Sequence, residues 1–335
     1  MTADTLYWLA GLVFLLAFFA LAYFYLLTRR LALEAERRVP MAGKVVEVGG
    51  HRLHYVEAGR GAPILFLHGL GGQLHHFRHP LFHRLERDFH LVAVDRPGSG
   101  YSVAARGSRG TLKEQAAALA GFIDRLGLER PLVVGHSLGG AVALALALDH
   151  PDKVGGLALL SPLTHDEGVV RPEFAPLLVR SPLRRRIIGH TIGIPNSLRH
   201  AKETLAFVFG PQPTPQNYVI EGGGLLGLRP SHLIATMTDF VALEGELGRY
   251  EGRYQEILCP VGVLFGTADR VLKHEEHALP LGGRIRDFDL ELLHGIGHMP
   301  QFVAPDETEA FIRRMAAKTF DADDSTAATD GDEAQ

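Results

Sequence analysis

The segment Gly135–Gly139, with the sequence GHSLG, restricts the fold of this chain more than any other feature. It directly follows a short apolar run, Leu132–Val134, and directly precedes an apolar helical run, Ala141–Leu148. A strand that turns at once into a helix holds the residue at the turn, Ser137, in a strained backbone conformation, and the flanking glycines remove side chains that would collide there. The helix N-terminus also directs free N–H groups at the turn. We therefore predict a nucleophilic serine at the edge of a β-sheet.

Short apolar runs bounded by Gly, Pro or Asp predict the strands of that sheet. They are Ile64–Leu67, Leu91–Val94, Leu132–Val134, Leu157–Leu160, Val261–Phe265 and Phe288–Leu293. Apolar residues at helical spacing over Thr111–Leu128, and a last helix from about Pro305 to Ala317, alternate with these strands. This alternation implies the α/β class, with a mostly parallel sheet and helices on both faces. Before it, residues 44–57 alternate polar and apolar side chains around Gly49 and Gly50, which predicts a β-hairpin.

The alternation of strands and helices also divides the chain into segments. Residues 44–162 and 258–318 are predicted to form the two parts of the α/β core. Residues 163–257 interrupt it with several prolines, a run of glycines and mixed apolar helical stretches. An insertion at the carboxyl ends of parallel strands commonly covers the ligand site, so we predict an inserted helical lid. Residues 28–43 are expected to be a polar linker, and residues 319–335, acidic and without Lys or Arg, a disordered tail.

Residues 5–27 are predicted to form a transmembrane helix. From Tyr7 to Leu27 the chain carries no charge, and about 20 helical residues at about 1.5 Å each span the roughly 30 Å hydrocarbon layer. A cleaved signal peptide is the alternative, but it requires a basic leader, and the residues before the run include Asp4 and no Lys or Arg. Basic residues follow the run instead, at Arg29, Arg30, Arg37 and Arg38. By the positive-inside rule we expect a single-pass membrane protein with its bulk in the cytoplasm.

A nucleophilic serine needs a base within hydrogen-bond reach and a third group that orients the base. Among the eighteen histidines, His298 is the best placed, since it lies in a loop directly after the last predicted strand and before a helix. Asp269 ends the segment that follows the preceding strand, and the chain order Ser, Asp, His is the one associated with α/β-hydrolases. We predict His298 as general base and Asp269 as its acid. Asp166 is the alternative acid.

A tetrahedral intermediate needs backbone N–H donors aimed at its oxyanion. The loop His68-Gly69-Leu70-Gly71-Gly72 follows the strand Ile64–Leu67 and can bring its backbone close to the serine. The residue after the serine is the other source of a donor. We therefore predict an oxyanion hole formed by the N–H groups of Leu70 and Leu138.

The features that carry a family resemblance are His68-Gly69, the segment Asp95–Ser102 with the sequence DRPGSGYS, the Ser137 turn, Asp269 and His298. As a set they resemble the α/β-hydrolase superfamily over residues 44–317. The resemblance implies that Leu70 donates to the oxyanion and that Asp95–Gly100 is a structural turn rather than a phosphate loop. Family members that act on haloalkanes or epoxides carry aspartate at the turn, so Ser137 favours ester, thioester, amide or C–C cleavage. With its apolar N-terminus, the layout is similar to that of membrane-anchored monoacylglycerol lipases.

Composition excludes some classes of partner. The net charge of −4 provides no basic field for nucleic acid, and a single cysteine, Cys259, excludes an intramolecular disulfide. The cluster His75, His76, His79 and His83 has no cysteine or paired carboxylate at ligand spacing, so we expect no metal site and no cofactor. Basic residues dominate 171–202 in the insertion, which is interpreted either as a lid face that touches an anionic membrane or as a solvated face.

Together these observations predict a membrane-anchored serine hydrolase that cleaves a carboxylic ester through an acyl-enzyme, with a lipid or medium-to-long-chain acyl ester as substrate. Two alternatives stay open. The same three residues could serve a C–C bond hydrolase or a cofactor-free peroxidase. The chain could also be a membrane-tethered binding protein on a hydrolase fold that no longer turns over substrate.

Overall fold

A computed structural model describes the backbone of residues 2–329 and the side chains of residues 2–321. Its centre is an eight-stranded sheet in the order β1-β2-β4-β3-β5-β6-β7-β8. The strands are β1 (Lys44–Val48), β2 (His51–Ala58), β3 (Ala62–Leu67), β4 (Phe89–Val94), β5 (Leu132–His136), β6 (Gly156–Leu160), β7 (Val261–Gly266) and β8 (Phe288–Leu293). Strands β1 and β2 form the predicted antiparallel hairpin, and β2 pairs antiparallel with β4. All other pairs are parallel. The predicted α/β class and its strands are confirmed.

The helices of the core lie on both faces of this sheet. They are α2 (His75–Leu85), α3 (Leu112–Leu126), α4 (Leu138–Asp149), α10 (His274–His277), α11 (Pro300–Val303) and α12 (Pro305–Thr329). Helix α3 begins where the hydroxyl of Thr111 accepts the N–H of Glu114, and it ends at Gly127, whose φ of 65° suits glycine. These local signals are why its predicted limits agree with the observed ones.

Alternate residues of each strand bury into opposite layers. On β3, Leu65 and Leu67 pack in the layer that contains α3 and α4, while Ile64 and Phe66 pack in the layer that contains α2 and α12. A strand covered on both faces needs apolar side chains at every position, which explains the continuous apolar runs in the sequence. Full burial of each such side chain stabilises the fold by about 1.5–3 kcal/mol. The two layers leave the carboxyl ends of the strands open for the connecting loops.

Residues between β6 and β7 form the inserted helical lid that we predicted. Its helices are α5 (Pro182–His190), α6 (Gly193–Arg199), α7 (Ala201–Phe209), α8 (Pro230–Ala242) and α9 (Leu247–Glu251). A 3₁₀ turn, Gly224–Leu228, directly precedes α8. Helix α8 lies on the loops that follow β3 and β4. His232 of α8 donates to the Gly71 carbonyl at 3.0 Å and accepts the N–H of Gly100 at 3.0 Å.

The N-terminal helix α1 runs unbroken from Ala3 to Arg38 over 36 residues. It is long and apolar enough to cross a membrane. The segment expected to be a separate linker, residues 28–43, is therefore helical as far as Arg38. Helix formation continues there because Glu34 pairs with Arg38 one turn later and because Ala35 is buried against the rest of the protein. At the other end, residues 319–329 continue α12, which corrects the predicted disorder. Thr319 is buried and Phe320 packs on the core, so the helix has tertiary support beyond Lys318, whereas residues 330–335 lie outside the described residues.

Candidate active site

Ser137 occupies the turn between β5 and α4 in a backbone conformation that is unusual for a serine. Its φ is 51° and its ψ is −120°, and the helix begins at the next residue. A side chain at Gly139 would collide with the carbonyl of Leu67, and a Cβ at Gly135 would come within 2.6 Å of the Gly139 carbonyl oxygen. Only glycine therefore permits the tight turn, and the strained conformation holds the serine at the carboxyl edge of the sheet.

Asp269 and His298 meet on the loops that follow β7 and β8. Asp269 Oδ2 lies 2.7 Å from His298 Nδ1, and both side chains are almost fully buried. The other oxygen, Asp269 Oδ1, accepts the N–H groups of Val271 and Leu272 at 2.7 and 3.0 Å. The carboxylate can only accept from Nδ1–H, so Nε2 is the unprotonated nitrogen of a neutral imidazole at His298. An imidazole held in this tautomer can take a proton from a hydroxyl.

Backbone hydrogen bonds tie these two loops to each other. The N–H of Thr267 donates to the Leu293 carbonyl at 3.0 Å, and the N–H of Ala268 donates to the Ile296 carbonyl at 2.9 Å. Any side chain at Gly266 would collide with the Ile296 carbonyl. The parallel pairing of β7 with β8 thus continues into the loops and fixes Asp269 beside His298. The alternative acid, Asp166, is exposed, and its carboxylate accepts the N–H of Gly168.

His136 connects the serine turn to the His298 loop. Its Nε2 lies 2.8 Å from the carbonyl oxygen of His298, and the two imidazole rings are 4.9 Å apart. Burial, and secondarily the proximity of His298, holds the pKa of His136 well below its usual range. His136 is therefore a neutral donor to that carbonyl. Ser137 follows it directly, so this bond places the serine turn next to His298.

Within residues 2–321, no hydrogen bond joins the Ser137 hydroxyl to His298. Hydrogen bonds between a nucleophile and its base are often long in enzymes without substrate and shorten in the substrate complex. The three predicted residues therefore gather at one edge of the sheet, with the Asp269–His298 contact formed and the Ser137–His298 contact open.

The loop after β3 carries the first predicted oxyanion donor, Leu70. Its N–H, like that of Leu138 at the first position of α4, has no hydrogen-bond partner among the described residues. Gly69 lies directly against the serine, since a Cβ there would come within 3.0 Å of the Ser137 Cβ. Both donors are free and lie close to Ser137, on the connections that follow the adjacent strands β3 and β5. Such an arrangement can stabilise negative charge on a substrate oxygen.

Arg96 holds this loop in place, which the sequence did not reveal. It is fully buried, its Nε donates to the His68 carbonyl at 2.8 Å and its Nη2 donates to the Gly69 carbonyl at 2.9 Å. Its charge is balanced by Asp239 of lid helix α8, at 2.8 Å from Nη1. Burial raises the pKa of Asp239 and the guanidinium opposes that rise. The lid thus supplies the counter-ion for the residue that holds the loop of the predicted oxyanion donor, Leu70.

Gln212 is a second lid residue that sequence reasoning missed. Its amide nitrogen donates to the Gly295 carbonyl at 2.8 Å, and its amide oxygen accepts the N–H of Gly297 at 3.0 Å. Both partners belong to the loop that carries His298. No local pattern marks Gln212 or Asp239, because their partners lie far away in the sequence.

The histidines of α2 do not converge on a common point. His76 is buried with its Nε2 3.2 Å from the Tyr218 hydroxyl, whereas His79 contacts Asn217 at 2.8 Å. A different group, Glu167, Glu276 and His277, brings three metal-ligating atoms within 4.8 Å of one another. There the backbone N–H of Thr164 donates to His277 Nδ1, so Nε2 carries the proton and donates it to Glu167. Glu167 also pairs with Arg171 at 2.9 Å, so its carboxylate is already bound by a cation and by a neutral histidine.

The sequence is similar to one protein family and to several known proteins. A family model described as α/β hydrolase fold matches residues 62–185. The 30 kDa subunit of magnesium chelatase from Rhodobacter capsulatus is 31% identical over 226 residues, which are 63% of this chain and 72% of that protein. A 2-hydroxy-6-oxo-6-phenylhexa-2,4-dienoate hydrolase from Comamonas testosteroni is 27% identical over 264 residues, covering 76% of this chain and 87% of that enzyme.

Another match is partial, and one solved structure covers most of this chain. The acetyltransferase component of the acetoin cleaving system of Cupriavidus necator is 39% identical over 135 residues, and this chain spans about a third of its length, 36%. The crystal structure of a bacterial membrane phospholipase A superposes with a TM-score of 0.63 and 24% identity, covering 92% of this chain and 98% of that one. With the sheet order, the serine turn and these matches, the chain belongs to the α/β-hydrolase fold family.

Proposed function

We propose that this protein is a membrane-anchored serine hydrolase that cleaves a carboxylic ester of a lipid or of another medium-to-long-chain acyl group. The observation that carries the proposal is the strained Ser137 at the β5–α4 turn, set beside a buried Asp269–His298 couple. A turn of this strain is retained where it positions a reacting group. No cofactor is required for this chemistry.

The proposed reaction has two halves. Ser137 Oγ attacks the acyl carbonyl while His298 Nε2 takes its proton, and the N–H groups of Leu70 and Leu138 stabilise the oxyanion. His298 returns the proton to the leaving alcohol, which leaves an acyl-enzyme. Water, deprotonated by the same histidine, then releases the acid. Asp269 holds the imidazole in its tautomer and stabilises the imidazolium.

The anchor supports a lipid substrate. Helix α1 continues past its apolar run and packs on the catalytic part, with Thr28 and Ala35 buried. A segment bonded in this way to the folded domain is better suited to a retained anchor than to a cleaved signal peptide. The similarity of the fold to a membrane phospholipase A agrees with this proposal. We propose, from the basic residues that follow the run, that the catalytic part lies in the cytoplasm.

Labelling with a fluorophosphonate tests the nucleophile. We expect the detergent-solubilised protein to be labelled and the Ser137→Ala variant to lose labelling, because only an activated serine attacks the probe. Ser161→Ala is a matched control, since Ser161 also has a positive φ, of 40°, at the end of the neighbouring strand β6, but is fully buried where Ser137 is partly exposed. Equal labelling of the wild type and the Ser137→Ala variant, or none in folded wild type, would refute the proposal.

A panel of p-nitrophenyl esters tests the substrate class. We expect kcat/KM to rise with acyl length beyond the shortest esters, because each buried methylene contributes about 0.8 kcal/mol of binding. Activity confined to acetyl esters would contradict the lipid substrate while leaving the nucleophile in place.

Similarity to a dienoate hydrolase favours a second candidate function, hydrolysis of a C–C bond. The same serine, histidine and oxyanion donors can serve that reaction. Faster turnover of a 2-hydroxy-6-oxo-dienoate than of any ester would establish it and displace the ester proposal.

A further inference from the structure

The lid is fastened to α1 at the point where the apolar run ends. Thr28, the first polar side chain after that run, is buried, and its hydroxyl donates to the Thr191 carbonyl at 2.6 Å. Two turns further on, Glu36 pairs with Arg229 at 2.7 Å. The elements that pack on α1 include lid helices α5 and α6 and the turn before α8. The lid therefore has a fixed height relative to the end of the proposed membrane span.

The covered part of α1 reaches into the apolar run itself. Phe24 and Leu27 are half-buried, whereas most side chains nearer the N-terminus are exposed. Phe24 precedes Thr28 by one helical turn, about 6 Å along the axis. If α1 spans a bilayer, the adjoining part of the lid lies at the depth of the headgroups.

The lid surface around Thr191 carries exposed apolar side chains. Leu183 is 66% exposed, Ile187 49%, Ile192 50% and Leu198 46%. Large aliphatic side chains held at such exposure on adjoining short helices form an apolar surface that a soluble neighbour or a lipid phase would cover. We call this surface, with the cations described next, the lid edge.

The lid edge also carries positive charge without counter-ions. Arg184, Arg186, Arg199 and Lys202 are exposed, and none of them pairs with a carboxylate among the described side chains. Cations that flank apolar side chains are typical of surfaces that lie on anionic lipid. A second copy of this chain, with a net charge of −4, is a less suitable partner for these cations. It would not explain why the Thr28 bond holds this surface at the depth of the headgroups.

We propose that the lid edge inserts into the headgroup layer of the bilayer that α1 spans, with anionic lipid headgroups balancing its four cations. The proposal rests on the membrane anchor in the proposed function. The insertion places the lid, and the site beneath it, in contact with the lipid surface, so that an acyl substrate can pass from the bilayer to Ser137 without crossing water.

Tryptophan fluorescence in vesicles tests the anchor and the lid edge separately. The chain has one tryptophan, Trp8, at the start of the apolar run. The native protein, in vesicles of phosphatidylcholine and phosphatidylglycerol with brominated acyl chains, reports on the span. A Trp8→Phe, Ile192→Trp variant reports on the lid edge. A Trp8→Phe, Leu258→Trp variant is the matched control, because Leu258 is 83% exposed and precedes β7, at the end of that strand opposite to the site loops.

We expect brominated lipid to quench the native protein and the Ile192→Trp variant roughly twofold or more, and the Leu258→Trp variant not at all, since interfacial side chains bury about 5–10 Å into the boundary. Adding Arg184→Gln and Arg186→Gln should reduce quenching of the Ile192→Trp variant. Quenching of the native protein alone would overturn the lid edge proposal and leave the anchor standing. No quenching of the native protein would overturn the anchor itself. A blue-shifted Ile192→Trp variant that lipid does not quench would show that another protein copy covers the lid edge.

Discussion

At the scale of single residues, the site is surrounded by histidines that the fold keeps neutral. Burial lowers the pKa of His76 from 6.5 to about 3, and it holds the pKa values of His68 and His136 well below their usual range. Each uses its neutral ring as a defined donor or acceptor. His68 Nε2 accepts the N–H of Arg96 at 2.9 Å, and His136 donates to the His298 carbonyl. Protonation would add a charge where the structure supplies no partner for one.

The free energy of unfolding should therefore fall with acidification. The ordinary pKa of a histidine is 6.5. Below that pH, the unfolded chain binds protons at His68, His76 and His136 that the folded protein does not bind. The contribution of these neutral histidines to the free energy of unfolding is therefore complete above pH 6.5 and is lost as the pH falls. Each group contributes up to about 1.4 kcal/mol per pH unit. Denaturant melts between pH 7.5 and 5 measure the slope. His76→Asn should reduce it and His200→Asn, at an exposed site, should not. An unfolding free energy independent of pH over that range would contradict the expectation.

At the scale of elements, lid helix α8 does more than cover the site. Through Asp239 it holds Arg96, and Arg96 in turn binds the carbonyls of His68 and Gly69, the second of which shares a peptide bond with the Leu70 N–H. The position of Leu70, the proposed oxyanion donor, thus depends on a lid residue that need not touch substrate. Asp239 and Arg96 are positioning residues in this arrangement.

We expect Asp239→Asn to lower kcat about 10- to 100-fold with KM little changed, because the oxyanion donor acts mainly in the transition state. It should also cost about 3 kcal/mol of stability, since Arg96 is left buried without a counter-ion. Asp149→Asn is the control. It removes the partner of Arg253, at 2.8 Å, far from the serine turn, and should lower stability with kcat unchanged. Steady-state kinetics well below the melting temperature distinguish the two. If the Asp239→Asn variant is destabilised but retains its kcat, the ion pair has only a structural role.

At the scale of the whole molecule, the core and the presence of the lid could be predicted from the sequence, but the contacts of the lid could not. Strands such as β5 are continuous apolar runs, and α3 has its own capping residues, so their signals are local. The serine turn is equally local. The contacts of Gln212 and Asp239 are not, because each joins the lid to a loop many residues away and has no periodic pattern. The acidic composition of the tail predicted disorder from residue 319 for the same reason. The packing that lets α12 continue there joins residues far apart in the sequence.

Because α1 is unbroken, the N-terminal segment is a rigid helical connection rather than a flexible tether. A flexible tether would let the catalytic part tumble, and its length would hardly matter. Because contacts at Thr28 and Glu36 fix α1 to the lid, the length of the helix determines the angle of the catalytic part about the helix axis. One residue inserted between the apolar run and the clamp would turn one part against the other by about 100° and separate them by about 1.5 Å. The number of residues in this segment therefore sets the rotational orientation of the catalytic part about the axis of α1.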